Sequence, residues 1–98
     1  MRKINFNIPI TNLDGVAMKK DAQNDLMIKD IVANSLCIAK AVKNTEVVRQ
    51  LAVAIDIHKA VSEINLDDTD IKMIREVLIN ADLSTLVLGQ IIKLLDSK

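Results

Sequence analysis

The sequence predicts a mainly α domain: a compact four-helix body over residues 24–98, with an N-terminal β-hairpin over residues 1–20 as a minor α+β element. Three observations carry that prediction. Apolar residues recur at helical spacing in four blocks separated by short polar breaks. Alternation with a period of two is confined to the first ten residues. An Asp-Gly pair follows that alternation after three residues. Period and turn chemistry of this kind are the primary signals for helix, strand and hairpin. The chain has 98 residues, enough for a single domain with one core. Half of them are hydrophobic, yet Phe6 is the only aromatic, so the core must be built from aliphatic side chains.

Ile4, Phe6, Ile8 and Ile10 alternate with Lys3, Asn5 and Asn7, which argues for a strand with one buried face. Pro9 has no N–H to give to a ladder and places the strand at an edge. Asp14-Gly15 supplies the turn, because glycine accepts the positive φ that tight hairpins need, and Val16–Lys19 would return as the second strand. Lys19–Asn24 reads as a polar linker.

The first helix is expected from Asn24 or Asp25, either of which would serve as N-cap, to about Lys43. Met27, Ile28, Ile31, Val32, Ile38, Ala39 and Val42 gather on one side, with Lys29, Lys40 and Lys43 facing away. Asn44-Thr45 breaks the pattern, and Thr45 would cap a second helix running from Glu46 to Glu63. Its polar stripe is narrow: Glu46, Arg49, Asp56, Lys59 and Glu63. A helix apolar over most of its circumference is either central or covered by a partner chain.

Asp67 is the expected N-cap of a third helix over residues 68–80, with Asp70 in its first turn. Ile71, Ile74, Val77 and Leu78 would be buried, Lys72 and Glu76 would pair across one turn, and Ile79 would fall on the outer face. After Ala81–Ser84 a fourth helix is expected from Thr85 to Leu95, burying Val87, Leu88, Ile91, Ile92, Leu94 and Leu95, with Leu86 pointing the other way.

Composition narrows the function. Lys plus Arg and Asp plus Glu number 13 each, so the net charge is zero, unlike the basic excess of proteins that grip phosphate backbones. A neutral chain is also compatible with self-association. One cysteine, Cys37, excludes an internal disulfide and points to a reducing compartment. No secretory signal or membrane span is read, and the expected location is the cytoplasm, of a host cell if the protein is viral.

No residue pattern calls for an enzyme. His58 is the only histidine and lies opposite the polar stripe of its helix; catalysis would need an orienting partner and a metal would need further ligands. Cys37 is expected to face a different direction from His58 and so lacks a base. Asp67, Asp68 and Asp70 lack the central glycine and terminal glutamate of a calcium loop and are expected to cap a helix. Helices three and four could form a helix-turn-helix, but the fourth offers a groove only Thr85, Gln90 and Lys93. Gly89 permits a close backbone approach or is slack; both readings stay open. No catalytic, metal-binding or cofactor-binding residue is nominated, and no cofactor is expected.

Leftover apolar surface is the most informative feature. The residues expected at a protein interface are Ile57, His58, Ile79, Leu86, Phe6 and Ile8.

Ile8-Pro-Ile-Thr-Asn-Leu-Asp-Gly15, the Leu66-Asp-Asp-Thr-Asp-Ile71 cap and the closing Leu88-Gly-Gln-Ile-Ile92 helix together resemble a group of small, mostly uncharacterised proteins of tailed bacteriophages and prophages. In these a Leu-Asp-Gly turn precedes a helical body that ends in a Gly-Gln helix. The resemblance covers most of the chain and transfers no catalytic residue. It implies a viral protein acting on other proteins, in particle assembly or in countering a host system.

The expected function is therefore a non-enzymatic protein–protein interaction module. It would self-associate as a homo-oligomer, bind a larger host or viral protein, or both, as an assembly accessory or as an inhibitor of a host defence component. The alternative is a small DNA-binding transcriptional regulator using the third and fourth helices. A small-ligand carrier or enzyme ranks below both.

Overall fold

In the computed structural model, residues 2–39 and 47–96 are described. The element order is β1 (Arg2–Asn5), α1 (Ile28–Ile38), α2 (Val47–Lys59), β2 (Glu63–Leu66), α3 (Asp68–Ile79) and α4 (Thr85–Asp96). The fold is mainly α with one small antiparallel two-stranded sheet. Its strands are β1 and β2, in the register Arg2 opposite Leu66 and Asn5 opposite Glu63. The long N-terminal strand expected from the alternation is thus divided. Residues 2–5 pair with a segment some sixty residues away, which starts at Glu63, the expected end of the second helix, and runs through the break expected before the third. Glu63-Ile-Asn-Leu alternates in burial, and Ile4 and Leu66 point into the core.

Beyond β1 the expected hairpin is present in short form, Thr11 bridging Ala17 across the Asp14-Gly15 turn, and a further extended segment at residues 25–27 joins it. The backbone N–H of Ile10 donates to Leu26 O at 2.8 Å, that of Leu26 to Met18 O at 2.7 Å, and that of Met18 to Ile10 O at 2.7 Å. Three extended segments thus close a ring of backbone hydrogen bonds, flanked by bridges Pro9–Met27, Thr11–Ala17 and Lys19–Asp25. Ile10 is fully buried, and Met18 and Leu26 pack on the core. The expected Asp14-Gly15 turn is present, with Gly15 at φ +82°. Asn12 fixes it: its Oδ1 accepts from Asp14 N at 2.9 Å and Val16 N at 3.1 Å. The polar stretch after Lys19 repeats the device, with Asp21 Oδ1 accepting from the backbone N–H of Gln23 and of Asn24, both at 2.9 Å. Side chains that bond their own backbone two or more residues on are what make Asn and Asp turn formers.

Helix α1 starts later than expected, and neither Asn24 nor Asp25 caps it. Met27 stands at the N-cap without a side-chain bond. The orphan N–H groups of the first turn need acceptors, and these come from the arm: Ile28 N donates to Ile8 O at 2.8 Å and Lys29 N to Phe6 O at 2.9 Å. The helix also ends early, with Ala39 extended, so Ile38 is exposed rather than on the buried side. Its buried face is Ile28, Val32, Ala33, Ser35 and Leu36. Lys29 does not face away: its Nζ donates to Ala60 O at 3.2 Å. The Asn44-Thr45 break and the expected positions of Lys40, Val42 and Lys43 lie outside the described residues.

Helix α3 matches expectation closely. Asp67 Oδ1 accepts from Asp70 N at 2.8 Å, and Ile71, Met73, Ile74, Val77 and Leu78 are buried. Lys72 and Glu76 are not among the ion pairs; charges pair instead between elements, as in Arg75–Asp96. Ser84 caps α4, its Oγ accepting from Val87 N at 3.3 Å. A Cβ at Gly89 would meet nothing within 4 Å, so no neighbouring backbone approaches there. Helix α2 packs on α1, α1 on α3, and α3 on α4. The second helix is therefore not central.

Candidate functional site

The candidate site is the outer side of α2 and the groove beside it. Helix α2 buries Gln50, Val53, Ala54 and Ile57 against α1, where Gln50 Nε2 donates to Leu36 O at 2.9 Å. On its other side Val47, Val48, Leu51 and Ile55 are exposed, Val48 at 80%. Of the two ways to account for an all-round apolar helix, central placement is excluded by the fold, and the uncovered face is open.

Arg49 fixes the helix at one flank. Its Nη2 donates to both carboxylate oxygens of Asp67 at 3.0 Å, and its Nε donates to Asp70 Oδ1 at 2.7 Å. The guanidinium is held above its ordinary pKa, chiefly by the hydrogen bond and charge of Asp70. Asp67 is held below the usual carboxylate value, first by the Asp70 backbone N–H and then by Arg49. These groups tie α2 to the start of α3 and are exposed at a rim.

Between α1, α2 and the turn at residues 80–83 lies an open groove of about 1110 Å³, whose walls include Ile31, Ile38, Ala54, Ile55, His58 and Leu83. Cys37 lies on the same groove. The structure thus brings Cys37 and His58 to one surface, contrary to the expectation that they diverge. Cys37 is exposed, and no hydrogen bond joins the two. A nucleophile–base pair needs that bond, or a third group to orient the base. No cluster of three metal-ligating side chains occurs among the described residues. A second, polar depression of about 640 Å³ beside Lys19, Lys20 and Asp30 is laced by its own ion pairs, Lys19–Asp25 and Lys20–Asp30.

The six residues expected at an interface separate into two sets. Ile57 and Phe6 are fully buried and belong to the core. Ile57 faces α1, because the buried arc of α2 is the one opposite Val48. Phe6 leaves the end of β1 inward. His58, Ile79 at 58% and Ile8 at 36% are exposed, and Leu86 is half-buried. Val48, Leu51 and Ile55 were not singled out, since in sequence they look like Ile57. Leu13, 94% exposed at the tip of the glycine turn, and Val16 add a separate apolar point.

The side chain of Gln90 is consumed internally. Its Nε2 donates to Thr11 O at 2.7 Å and its Oε1 accepts from Thr11 N at 2.9 Å. Of the three groups that a recognition helix would bring to a DNA groove, one is thereby removed.

No protein-family model, curated protein or solved structure matches the chain. Among the described residues no helix is long and apolar enough to cross a membrane.

Proposed function

We propose that this protein is a non-enzymatic protein-binding module, of bacteriophage or prophage origin, acting in the host cytoplasm. The observation that carries the reading is the uncovered aliphatic side of α2, a peripheral helix with four large apolar residues in solvent. Contiguous exposed apolar surface on a small domain marks interaction sites. The groove beside α2 is open and joins apolar walls at Ile31, Ile38, Ala54, Ile55 and Leu83 to polar ones that include Asp30, His58 and Lys59, a mixture that suits a protein segment. The phage origin rests on the three motifs quoted above, two of which meet in space where Gln90 binds Thr11. Assembly of a particle and inhibition of a host protein are both served by such a surface.

The test is site-specific photocrosslinking in the expressing cell, with a photoreactive residue at Val48 and, as control, at the exposed polar Asn65. Protein adducts at position 48 and none at 65 are expected. Absence of adducts at 48, or equal labelling of both positions, would remove the reading.

A further inference from the structure

We propose that Asp14-Gly15 is a site of spontaneous covalent modification, at which the aspartate isomerises to isoaspartate through a succinimide, and that Asn12 sets the rate. The site stands apart from the protein-binding reading and does not depend on what α2 binds.

Sequence and exposure single the pair out. Asp14 is the only aspartate or asparagine of the chain that precedes a glycine. Any other residue in second place carries a Cβ that crowds its own backbone nitrogen against ring closure, and glycine has none. Both residues are exposed at the tip of the turn. Nothing lies within 4 Å of where a Gly15 Cβ would stand. Among the described residues no ion pair or hydrogen bond holds the Asp14 carboxyl, whereas those of Asp21, Asp67 and Asp96 are each engaged.

The chemistry needs no co-reactant but water. The Gly15 nitrogen attacks Cγ of Asp14 and a C–N bond forms. The C–OH bond of the carboxyl, in its acid form, breaks, and the hydroxyl leaves with the amide proton as water. The product is a five-membered succinimide. Water then returns to one of its two carbonyls. Addition at Cγ restores aspartate. Addition at the main-chain carbonyl breaks its bond to the Gly15 nitrogen, so the chain continues through Cγ and the former main-chain carbonyl becomes a free carboxylate. Nothing is oxidised or reduced, and the final mass equals the starting mass.

The turn restrains this step. The Gly15 N–H donates to Asn12 O at 3.0 Å, so the attacking nitrogen is engaged until the turn opens. Asn12 Oδ1 opposes that opening by accepting from Asp14 N and Val16 N. Exposed tips held by a few bonds of their own open at low free energy, so the restraint slows the reaction without stopping it. Isoaspartate adds one main-chain atom between the Asp14 Cα and Gly15. The tip can take up that atom, because the bonds joining Ile10, Met18 and Leu26 lie beyond it. Modification thus resets the tip around Leu13 and leaves the ring closed.

The experiment is incubation of the full chain at neutral pH and physiological temperature, with the tryptic peptide of residues 4–19 followed by chromatography and mass spectrometry. Asp14 is the only aspartate in that span, and deamidation of its asparagines would show as a change of mass. A second peak of identical mass is expected to grow with time, beside a minor form lighter by one water. An isoaspartate-specific carboxyl methyltransferase is expected to label the new peak. Asp14→Glu, which would have to close a six-membered ring, is expected to keep a single peak. Asn12→Ala is expected to speed the splitting severalfold. Incubation runs until the free peptide of residues 4–19 has itself split. A single peak from the folded chain at that time overturns the proposal, as does splitting that persists in Asp14→Glu. An unchanged rate in Asn12→Ala overturns the role given to Asn12.

Discussion

The side chain of Gln90 pairs with Thr11 as a neighbouring strand would. Its amide N–H donates to the Thr11 carbonyl at 2.7 Å, and its amide oxygen accepts from the Thr11 N–H at 2.9 Å. A further bond from the Thr11 hydroxyl, 3.2 Å, completes the clasp. Thr11 lies at the edge of the backbone ring, where its groups would lack a partner on that side. One side chain from α4 thus satisfies both and anchors the N-terminal arm to the end of the fold.

Replacing Gln90 with the near-isosteric Met should therefore destabilise the protein by about 1–3 kcal/mol, the usual cost of leaving partly buried backbone groups unsatisfied. Gln90→Glu should be worse, since its carboxylate would face the carbonyl oxygens of Thr11 and Leu86. That repulsion raises the folded-state pKa of the new carboxyl, so its penalty should grow as pH rises through that value. Urea denaturation midpoints against pH measure both effects.

Phe6 and Ile8 alternate in sequence yet differ in burial, at 0% and 36% exposure. Phe6→Ala should cost about 3–5 kcal/mol, the range for a deleted core aromatic. Ile8→Ala should cost much less. Equal losses would mean that both side chains reach the core.

Gly15 sits at φ +82° with open space around its Cα. Gly15→Ala should thus fail to clash and still cost about 1–2 kcal/mol, from backbone strain alone. Gly15→Val should cost more, because β-branching resists the left-handed region. Chemical denaturation of the three forms, compared in one buffer, tests the order.

Three carboxyls have folded-state pKa values below their ordinary 3.8: Asp67 through the Asp70 N–H and Arg49, Asp21 through the Gln23 N–H and Asn24, and Asp96 through Arg75. A lowered folded value means that the unfolded chain binds protons first. The resulting stability is fully present above the ordinary value and lost as pH falls through the folded one. Thermal midpoints should accordingly drop on acidification below about pH 4. Asp67→Asn keeps an N-cap acceptor but loses the charge opposite Arg49, so its acid limb should be shallower than that of the parent. An unchanged limb would mean that Asp67 contributes nothing to it.

What was legible in the sequence was local. The Asp67 cap, the buried stripe of α3, the Ser84 start of α4, the glycine turn and the outward Ile79 all depend on residues within a turn or two of each other. What was not legible depended on distant backbone. The N–H groups that start α1 bond to Phe6 and Ile8, so Asn24 and Asp25 were free for a turn and an ion pair. β2 is four residues long, too short for its alternation to stand out from the helical run before it, and its partner is β1. The recurrence of Ile10, Met18 and Leu26 at intervals of eight was present in the sequence as a signal and marks the ring. For α2, the excess of apolar residues was readable, but which arc faced inward was fixed only by the placement of α1.

The ring formed by Ile10, Met18 and Leu26 also determines where the chain tolerates changes in length. Within the three segments, one added or missing residue would turn every following side chain to the opposite face and break the closure. At the two tips, around Leu13–Gly15 and Asp21–Gln23, the chain projects into solvent and bonds mainly to itself. Those tips are permissive insertion points: an epitope or a fluorescent label grafted there would ride on the outside of the ring, leaving both the core and the outer side of α2 as they are.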